Sequence, residues 1–140
     1  MSELQENSGT ENTTLSPQEN PPRLYSKTII LVFALLFSTI FSAVLLMINL
    51  RTLGKRSAAI QVLIFGVLYL IATGVVIQLL SLQPSYTFIA NVIGAAILNE
   101  YFWNRHIGRD REYIGKSWLK PLSISLLIAL SMFLLLLAAV

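Results

Sequence analysis

Residues 121–140 read PLSISLLIALSMFLLLLAAV and contain no charged side chain. At about 1.5 Å of rise per residue, a helix over this stretch would be about 30 Å long, which matches the hydrocarbon core of a bilayer. Three other stretches have a similar apolar character: residues 28–50, residues 58–82, and the shorter, more polar residues 86–104. The sequence therefore predicts four membrane-spanning segments.

The composition supports this interpretation. Hydrophobic residues make up 55% of the 140 residues, charged residues only 12%, and the mean hydropathy is +0.70. Each span must be helical, because backbone amides that cross hydrocarbon have to be hydrogen-bonded within their own segment. We therefore predict an all-α integral membrane four-helix bundle of two hairpins over residues 28–140. The polar residues 1–27 have few side chains to bury and are predicted to be a disordered tail without a signal-peptide pattern.

The Lys and Arg residues are concentrated in two of the three connections. Residues 51–57 carry Arg51, Lys55 and Arg56, and residues 105–120 carry Arg105, Arg109, Arg111, Lys116 and Lys120. With four crossings these connections share one side, which then holds eight of the ten Lys and Arg residues. The positive-inside rule makes that side cytoplasmic, so both termini are expected outside. The same eight side chains are expected to face anionic lipid headgroups.

Several classes of function receive no support from the sequence. The absence of Cys excludes thiolate nucleophiles and Cys-ligated metals. His106 is the only histidine and has no partner at ligand spacing, so no metal site is predicted. No catalytic motif is present, and the basic residues lie beside the spans rather than in a nucleic-acid-binding pattern. We therefore expect no enzyme activity, no cofactor and no nucleic-acid partner.

Four polar residues form the best candidate site. They lie within about two helical turns of the predicted cytoplasmic boundary, so folding could gather them into one polar layer: Asn49, Gln61, Asn99 and Glu100. A buried Glu100 would favour its neutral form and could carry protons or bind a cation. Alternatively, Glu100 reaches the headgroups or pairs with loop arginines. The sequence leaves both alternatives open.

A second group of residues is expected to mediate helix packing. Small side chains recur at four-residue steps in the first span, at Ala34, Ser38 and Ser42, and again in the third span, at Ala90 and Gly94. Such stripes allow close approach of helices, either within one chain or between two copies. Asn91 lies nearer mid-span, where an unpaired amide is costly. It is expected to hydrogen-bond to another helix or to contact a ligand.

Three short segments carry a resemblance to a known group of proteins. Tyr25-Ser26-Lys27 precedes the first span, NLRTLGK at residues 49–55 follows it, and WLKP at residues 118–121 leads into the last span. Together they resemble small bacterial four-span membrane proteins known mainly as hypothetical. The resemblance implies a bacterial plasma membrane and assigns no site residue.

These observations lead to a ranked set of functional hypotheses. The first is a non-enzymatic accessory or scaffold subunit in the plasma membrane, partnered by lipids and by another membrane protein or further copies of itself. The alternative is a small-solute or ion transporter that works as an oligomer, with Glu100 as an intramembrane carboxylate. A membrane enzyme ranks third, because clustered catalytic groups are lacking outside the polar layer.

Overall fold

The computed structural model describes residues 21–140, which are mostly helical. Residues 1–20, most of the predicted tail, lie outside the described part of the chain. The elements in chain order are β1 (Arg23–Leu24), α1 (Lys27–Leu36), α2 (Thr39–Thr52), α3 (Arg56–Leu79), α4 (Ser85–Ala96), a π-helical segment (Ile97–Trp103), α5 (Asn104–His106), β2 (Ile114–Gly115) and α6 (Leu119–Ala139). The all-α class is therefore confirmed.

The first apolar stretch is not one helix, contrary to the predicted span over residues 28–50. It forms two helices, α1 and α2, that fold back on each other as a hairpin. The Ser42 hydroxyl on α2 donates to the Ile30 carbonyl on α1 over 2.6 Å, although twelve residues of a straight helix would separate these positions by about 18 Å. With 10 residues, α1 is only about 15 Å long.

The hairpin turns at Phe37 and Ser38 because local polar groups there can begin a new helix. Ser38 has an extended backbone, and its hydroxyl accepts a hydrogen bond from the amide of Ile40 as the N-cap of α2. The amide of Thr39, which lies between Ser38 and Ile40 in the chain, donates to the side chain of Asn91 on α4 over 3.3 Å. These hydrogen bonds satisfy backbone groups that a break inside an apolar stretch would otherwise leave unpaired.

Gly54 makes the tight turn between α2 and α3. Its φ of +74° is left-handed, and the amides of Gly54 and Lys55 donate to the carbonyls of Arg51 and Leu50. This pattern is a Schellman motif, which favours glycine because a Cβ atom would be strained at that φ. The turn places the ends of α2 and α3 side by side.

Among residues 21–140, two helices are long and apolar enough to cross a membrane, α3 with 24 residues and α6 with 21. Most of their apolar side chains are exposed, and Ser125 is the one buried residue of α6. The third predicted span corresponds to α4, the π-helical segment and α5, which continue without a break from Ser85 to His106. Its unbroken length is comparable to that of α6.

The hydrophobic core lies in one half of the bundle. The hairpin runs beside only part of α3 and of the helical run that begins with α4, and Ala43 approaches Gly66 while Thr39 approaches Gly94. Accordingly, the buried residues of α3 all precede Val67. The core consists chiefly of residues from β1, the hairpin, the start of α3 and the π-helical segment, including Leu24, Ile30, Phe33, Leu46, Leu50, Val62, Leu98 and Trp103.

The chain segment before α1 lies at the same end as the two basic connections. Arg23 and Leu24 pair in parallel with Ile114 and Gly115 of the connection before α6. The expectation that both termini share one side assumed that residues 28–50 cross once. Because the hairpin returns, residues 23–27 lie beside the basic connections, and α6 runs about 31 Å away from them toward Val140.

Candidate functional site

Asn49, Asn99 and Glu100 surround the backbone and side chains of residues 25–27, and we call this arrangement the polar clasp. Asn49 makes its closest contacts with Tyr25, whose amide donates to Asn49 Oδ1 over 2.7 Å. In return, Asn49 Nδ2 donates to the Tyr25 carbonyl over 2.9 Å. Asn49 is only 1% exposed. Its amide therefore hydrogen-bonds to the N-terminal segment as a neighbouring β-strand would.

Asn99 holds the next part of the same segment. Its Nδ2 donates to the Lys27 carbonyl over 3.0 Å, and its Oδ1 is buried without a hydrogen-bond partner among the described residues. Asn99 lies in the π-helical segment, whose buried residues also include Leu98, Phe102 and Trp103. Segments of π-helix are frequent at functional sites. Here the π-helical segment positions the side-chain amide of Asn99 to hydrogen-bond with Lys27, the first residue of α1.

Glu100 lies at the solvent edge of the clasp. Its carboxylate is 3.8 Å from Lys27 Nζ and 3.9 Å from an Arg109 guanidinium nitrogen. Asn104 Nδ2 also donates to Glu100 Oε2 over 3.2 Å. The Glu100 side chain is 65% exposed. The geometry thus agrees with pairing to a loop arginine and not with a carboxyl buried between helices.

Gln61 is not part of the clasp. It lies on the exposed face of α3, away from the buried residues Ala58, Val62 and Gly66. Successive residues of an α-helix are about 100° apart around its axis, so the side chain of Gln61 projects from a different side of α3 than the buried residues do. Of the four residues predicted to form one polar layer, three therefore come together and Gln61 remains outside.

Aromatic rings and cations complete the basic end of the bundle. The Lys116 ammonium lies 5.0 Å from the ring centroid of Tyr25, and that of Lys27 lies 5.9 Å from Trp103. Trp103 also packs edge-on against Tyr113 at 5.5 Å between centroids. Cation–π contacts of this kind add modest stabilisation where the cation is partly desolvated. They tie the connection before α6 to the clasp.

His106 ends the helical run that begins at α4. Its carbonyl accepts a hydrogen bond from the Lys55 ammonium, and its ring stacks at 6.3 Å on Phe102. Burial, followed by the positive charges of Arg105 and Lys55, lowers the pKa of His106 below its usual range. A histidine surrounded by cations in this way is a poor metal ligand.

A second polar cluster lies at the tip of the hairpin, in the middle of the bundle. Asn91 Oδ1 accepts hydrogen bonds from both the amide and the hydroxyl of Thr39, at 3.3 and 3.2 Å. These residues line a cavity of about 280 Å³ whose other polar lining residues are Ser38, Tyr69, Thr73 and Thr87. Asn91 thus links α4 to α2, as the packing interpretation expects, and it also borders a space that could hold a small ligand.

The small residues do not form the stripe expected in the first span. Because the turn separates Ser38 from Ala34, the three positions are divided between α1, the turn and α2. Ala34 and Ser42 are instead buried inside the hairpin. In α4, Gly94 lies against Thr39 and Tyr69, while the Ala90 carbonyl accepts a 2.6 Å hydrogen bond from the Tyr69 hydroxyl.

The eight basic residues predicted to face headgroups all lie at one end of the bundle. Several have protein contacts: Lys55 donates to His106, Arg105 donates to the Tyr101 hydroxyl over 2.8 Å, Arg109 pairs with Glu100 and Lys116 covers Tyr25. The other four, Arg51, Arg56, Arg111 and Lys120, are exposed and make no ion pair with the described residues.

The arrangement is suited to holding chain segments together. Within residues 21–140, no group of three or more His or acidic side chains could hold a metal ion. The buried amides of the clasp point at backbone, and its carboxylate points at cations. Sequence reasoning missed this arrangement because the partner of Asn49 and Asn99 is a segment assigned to the disordered tail. Comparisons with protein-family models, curated proteins and solved structures found no match.

Proposed function

We propose that the protein is integral to a membrane, with α3, the run from α4 through the π-helical segment, and α6 as crossings, so that His106 lies in the connection outside them. In this arrangement the α1–α2 hairpin enters and leaves on one side. Two observations support the proposal: the exposed apolar surface of α3 and α6, and the position of every Lys and Arg. All ten lie at the basic end once residues 23–27 are placed there. By the positive-inside rule that end is cytoplasmic.

Membrane fractionation tests this placement. The protein should remain in the membrane pellet after extraction at alkaline pH and enter solution only with detergent. Recovery in the soluble fraction without detergent would contradict it. The bacterial plasma membrane implied by the resemblance is tested in the same experiment, by separating inner and outer membranes of a bacterial host.

Within the membrane we assign the protein a non-enzymatic role as an accessory or scaffold subunit. The observation that carries this assignment is the use of the polar clasp. Asn49 and the Asn99 Nδ2 hydrogen-bond to the protein's own backbone, and Glu100 is engaged by Lys27, Arg109 and Asn104, so that among the clasp's buried side-chain polar atoms only Asn99 Oδ1 lacks a partner within the described residues. Groups so engaged stabilise a structure, whereas a catalytic or transport site needs groups free to meet a substrate.

The outward face of α3 is the surface on which a partner helix would pack. Its exposed side chains recur at alternating steps of three and four residues, with a carboxamide near each end: Gln61, Ile64, Leu68, Ile71, Val75 and Gln78. Such spacing gives a seam for one helix. An amide that faces lipid gains by hydrogen-bonding to a polar side chain of another helix. The partner is therefore a membrane helix with a polar group at the depth of Gln61.

Purification in mild detergent tests the scaffold role. A membrane protein should co-purify in fixed stoichiometry and should be lost, or strongly reduced, in Gln61→Leu. The matched control is Ser123→Leu, which removes a similarly exposed polar side chain from α6 and should retain the partner. If no partner accompanies the unmodified protein from native membranes, or if both variants lose it equally, the proposed α3 surface is overturned.

The transporter alternative is favoured by one observation, the polar cavity at the hairpin tip. Its lining residues carry no charge, so the geometry favours a small neutral solute over an ion. Glu100 lies at the far end of the hairpin from this cavity and would not serve as its coupling group. Solute flux into proteoliposomes that Asn91→Leu abolishes and Glu100→Gln preserves would establish this alternative in place of the scaffold role.

A further inference from the structure

A groove lies between the end of α2 and the start of α3, at the cytoplasmic boundary of the proposed orientation. It has a volume of about 270 Å³ and is lined by Met47, Arg51, Arg56, Ala59 and Ile60. The two arginines are at its basic end. The three apolar residues continue from there toward the middle of the bundle. The groove is thus charged at the boundary and apolar at the depth where lipid chains begin.

The two guanidinium groups have no counterion within the described residues. The ion pairs of residues 21–140 are made by Lys27 and Arg109, both with Glu100. Arg51 is in the last turn of α2, and Arg56 is the first residue of α3. The Schellman turn at Gly54 fixes these helix ends next to each other. Both arginines line the one groove, so a single anion bound there would lie near both positive charges.

The start of α3 places the positive end of its helix dipole beside the groove. Its N-cap position is occupied by Lys55, and no side chain caps the helix. Ser57 lies inside its first turn. The amides of a first helical turn need acceptors, and a phosphate group meets this need because the helix dipole favours negative charge there.

The apolar part of the groove decides which phosphate compound fits. Ala59 is buried and forms its floor, Met47 is half-buried, and Ile60 is 58% exposed along one wall. A free phosphate or nucleotide would leave these side chains without apolar contacts. A glycerophospholipid places its phosphate at the membrane boundary and its acyl chains directly below, as the groove does with its arginines and apolar residues.

We propose that this groove binds one anionic phospholipid, with its phosphate between Arg51 and Arg56 and an acyl chain along Met47, Ala59 and Ile60. The site is specific, unlike the general attraction of a basic surface for anionic headgroups. Arginine suits it because its planar fork donates two parallel hydrogen bonds to phosphate oxygens. The proposal rests on the membrane placement given above but not on the scaffold role or on the α3 partner.

Native mass spectrometry of the purified full-length protein tests the site. The delipidated protein in detergent is titrated with phosphatidylglycerol or with phosphatidylcholine. We expect one phosphatidylglycerol molecule to bind preferentially. The double variant Arg51→Gln/Arg56→Gln should bind it at least about tenfold more weakly. The control Arg111→Gln/Lys120→Gln, which removes the same charge from the same end, should bind it like the unmodified protein.

A third titration, with water-soluble glycerol phosphate as competitor, distinguishes a lipid site from a simple anion site. A lipid site predicts that this headgroup fragment displaces phosphatidylglycerol only at much higher concentration. Equal weakening in the two double variants would mean a diffuse charge effect and would overturn the proposal. Equal affinity for the fragment and the lipid would overturn the role of the apolar residues. Circular dichroism checks that every variant is folded.

A failed scaffold role leaves these outcomes unchanged, because the titration uses the purified protein without any partner. Conversely, a protein that binds phosphatidylglycerol through Arg51 and Arg56 but co-purifies with nothing would retain the lipid site and lose the scaffold role. Recovery in the soluble fraction would remove the basis of both.

Discussion

Asn49 and Gln61 carry chemically similar amides but have opposite roles. Asn49 is buried and makes two hydrogen bonds with the backbone of Tyr25, whereas Gln61 is exposed on α3. Leaving a buried backbone amide and carbonyl without partners costs about 1 to 3 kcal/mol for each group. Replacing an exposed carboxamide leaves no buried backbone group without a hydrogen-bond partner. The two residues therefore make a matched pair for experiment.

We predict that Asn49→Leu lowers the free energy of unfolding by about 2 to 4 kcal/mol, because it leaves both Tyr25 backbone groups unpaired. Gln61→Leu, the corresponding replacement of a carboxamide by leucine at an exposed position, should alter it by less than about 1 kcal/mol. Equilibrium unfolding of the purified protein in mixed micelles, followed by Trp fluorescence, measures both. Similar losses in the two variants would show that the clasp is not a stabilising element.

His106 gives a prediction of pH dependence. Burial and the neighbouring cations lower its pKa in the folded protein, so the unfolded chain takes up a proton at a higher pH than the folded protein does. Stability should therefore fall as the pH drops below about 6.5 and should level off below the folded pKa. Unfolding midpoints between about pH 7.5 and 5.5 should change less in His106→Gln than in the unmodified protein. An identical pH profile in the variant would contradict this assignment.

The sequence predicts which polar residues come together where this depends only on residue type and on distance from the end of the predicted span. Asn49, Asn99 and Glu100 were placed at one depth, and the structure brings them together. Their partners could not be foreseen, because residues 23–27 have no periodic pattern and were assigned to the tail. Gln61 was misplaced because depth alone does not determine which face of a helix a residue occupies; that depends on the helices packed against it.

At the scale of elements, the α1–α2 hairpin is the main difference between the structure and the sequence-based prediction. Hydropathy is summed along a window, and the two hydroxyl residues Ser38 and Thr39 barely lower that sum. Their effect comes from capping and from the hydrogen bond to Asn91, a residue 52 positions away from Thr39. A long-range contact of this kind cannot be predicted from local composition. The apolar character of the stretch was predictable, but its number of helices was not.

Cysteine labelling tests the hairpin, and the chain has no native Cys. We predict that single cysteines at Arg23 and Asp110 react with an impermeant thiol reagent from the same side of the membrane, and that one at Gln83 reacts from the other. The pairing of β1 with β2 is the reason for the first expectation. If position 23 instead labels together with position 83, residues 28–50 cross the membrane once.

At the scale of the whole molecule, the core and the charges occupy the same half. The all-α class and the two long apolar helices agree with the sequence prediction. The uneven core could not be predicted, since it follows from the limited depth of the hairpin. The half that contains Val140 is held mainly by contacts of α3 with α4, and α6 contributes little to either half.

We predict that ending the chain after Lys120 leaves the unfolding transition of the remainder nearly unchanged. The reason is that α6 buries only Ser125 and packs Leu122 against the edge of the core. Fluorescence of Trp103, which is 1% exposed, reports the unfolding transition in detergent. The shortened and the full-length protein both carry Trp118→Phe, which removes the signal of the other tryptophan. A large drop in the midpoint would show that α6 stabilises the bundle. The full-length Trp118→Phe protein is the control.

The limited depth of the hairpin also gives the molecule a tapered outline. Cross-sections near the basic end cut five helical segments, whereas those beyond the tip of the hairpin cut only three. In the proposed membrane placement, each helix of about 10 Å diameter displaces lipid, so the protein would take up more area in the leaflet at its basic end than in the other leaflet. In that placement, a molecule of this shape would fit best where the leaflet at its basic end is the expanded, convex one. Crowding many copies together would bend a flat membrane toward that side.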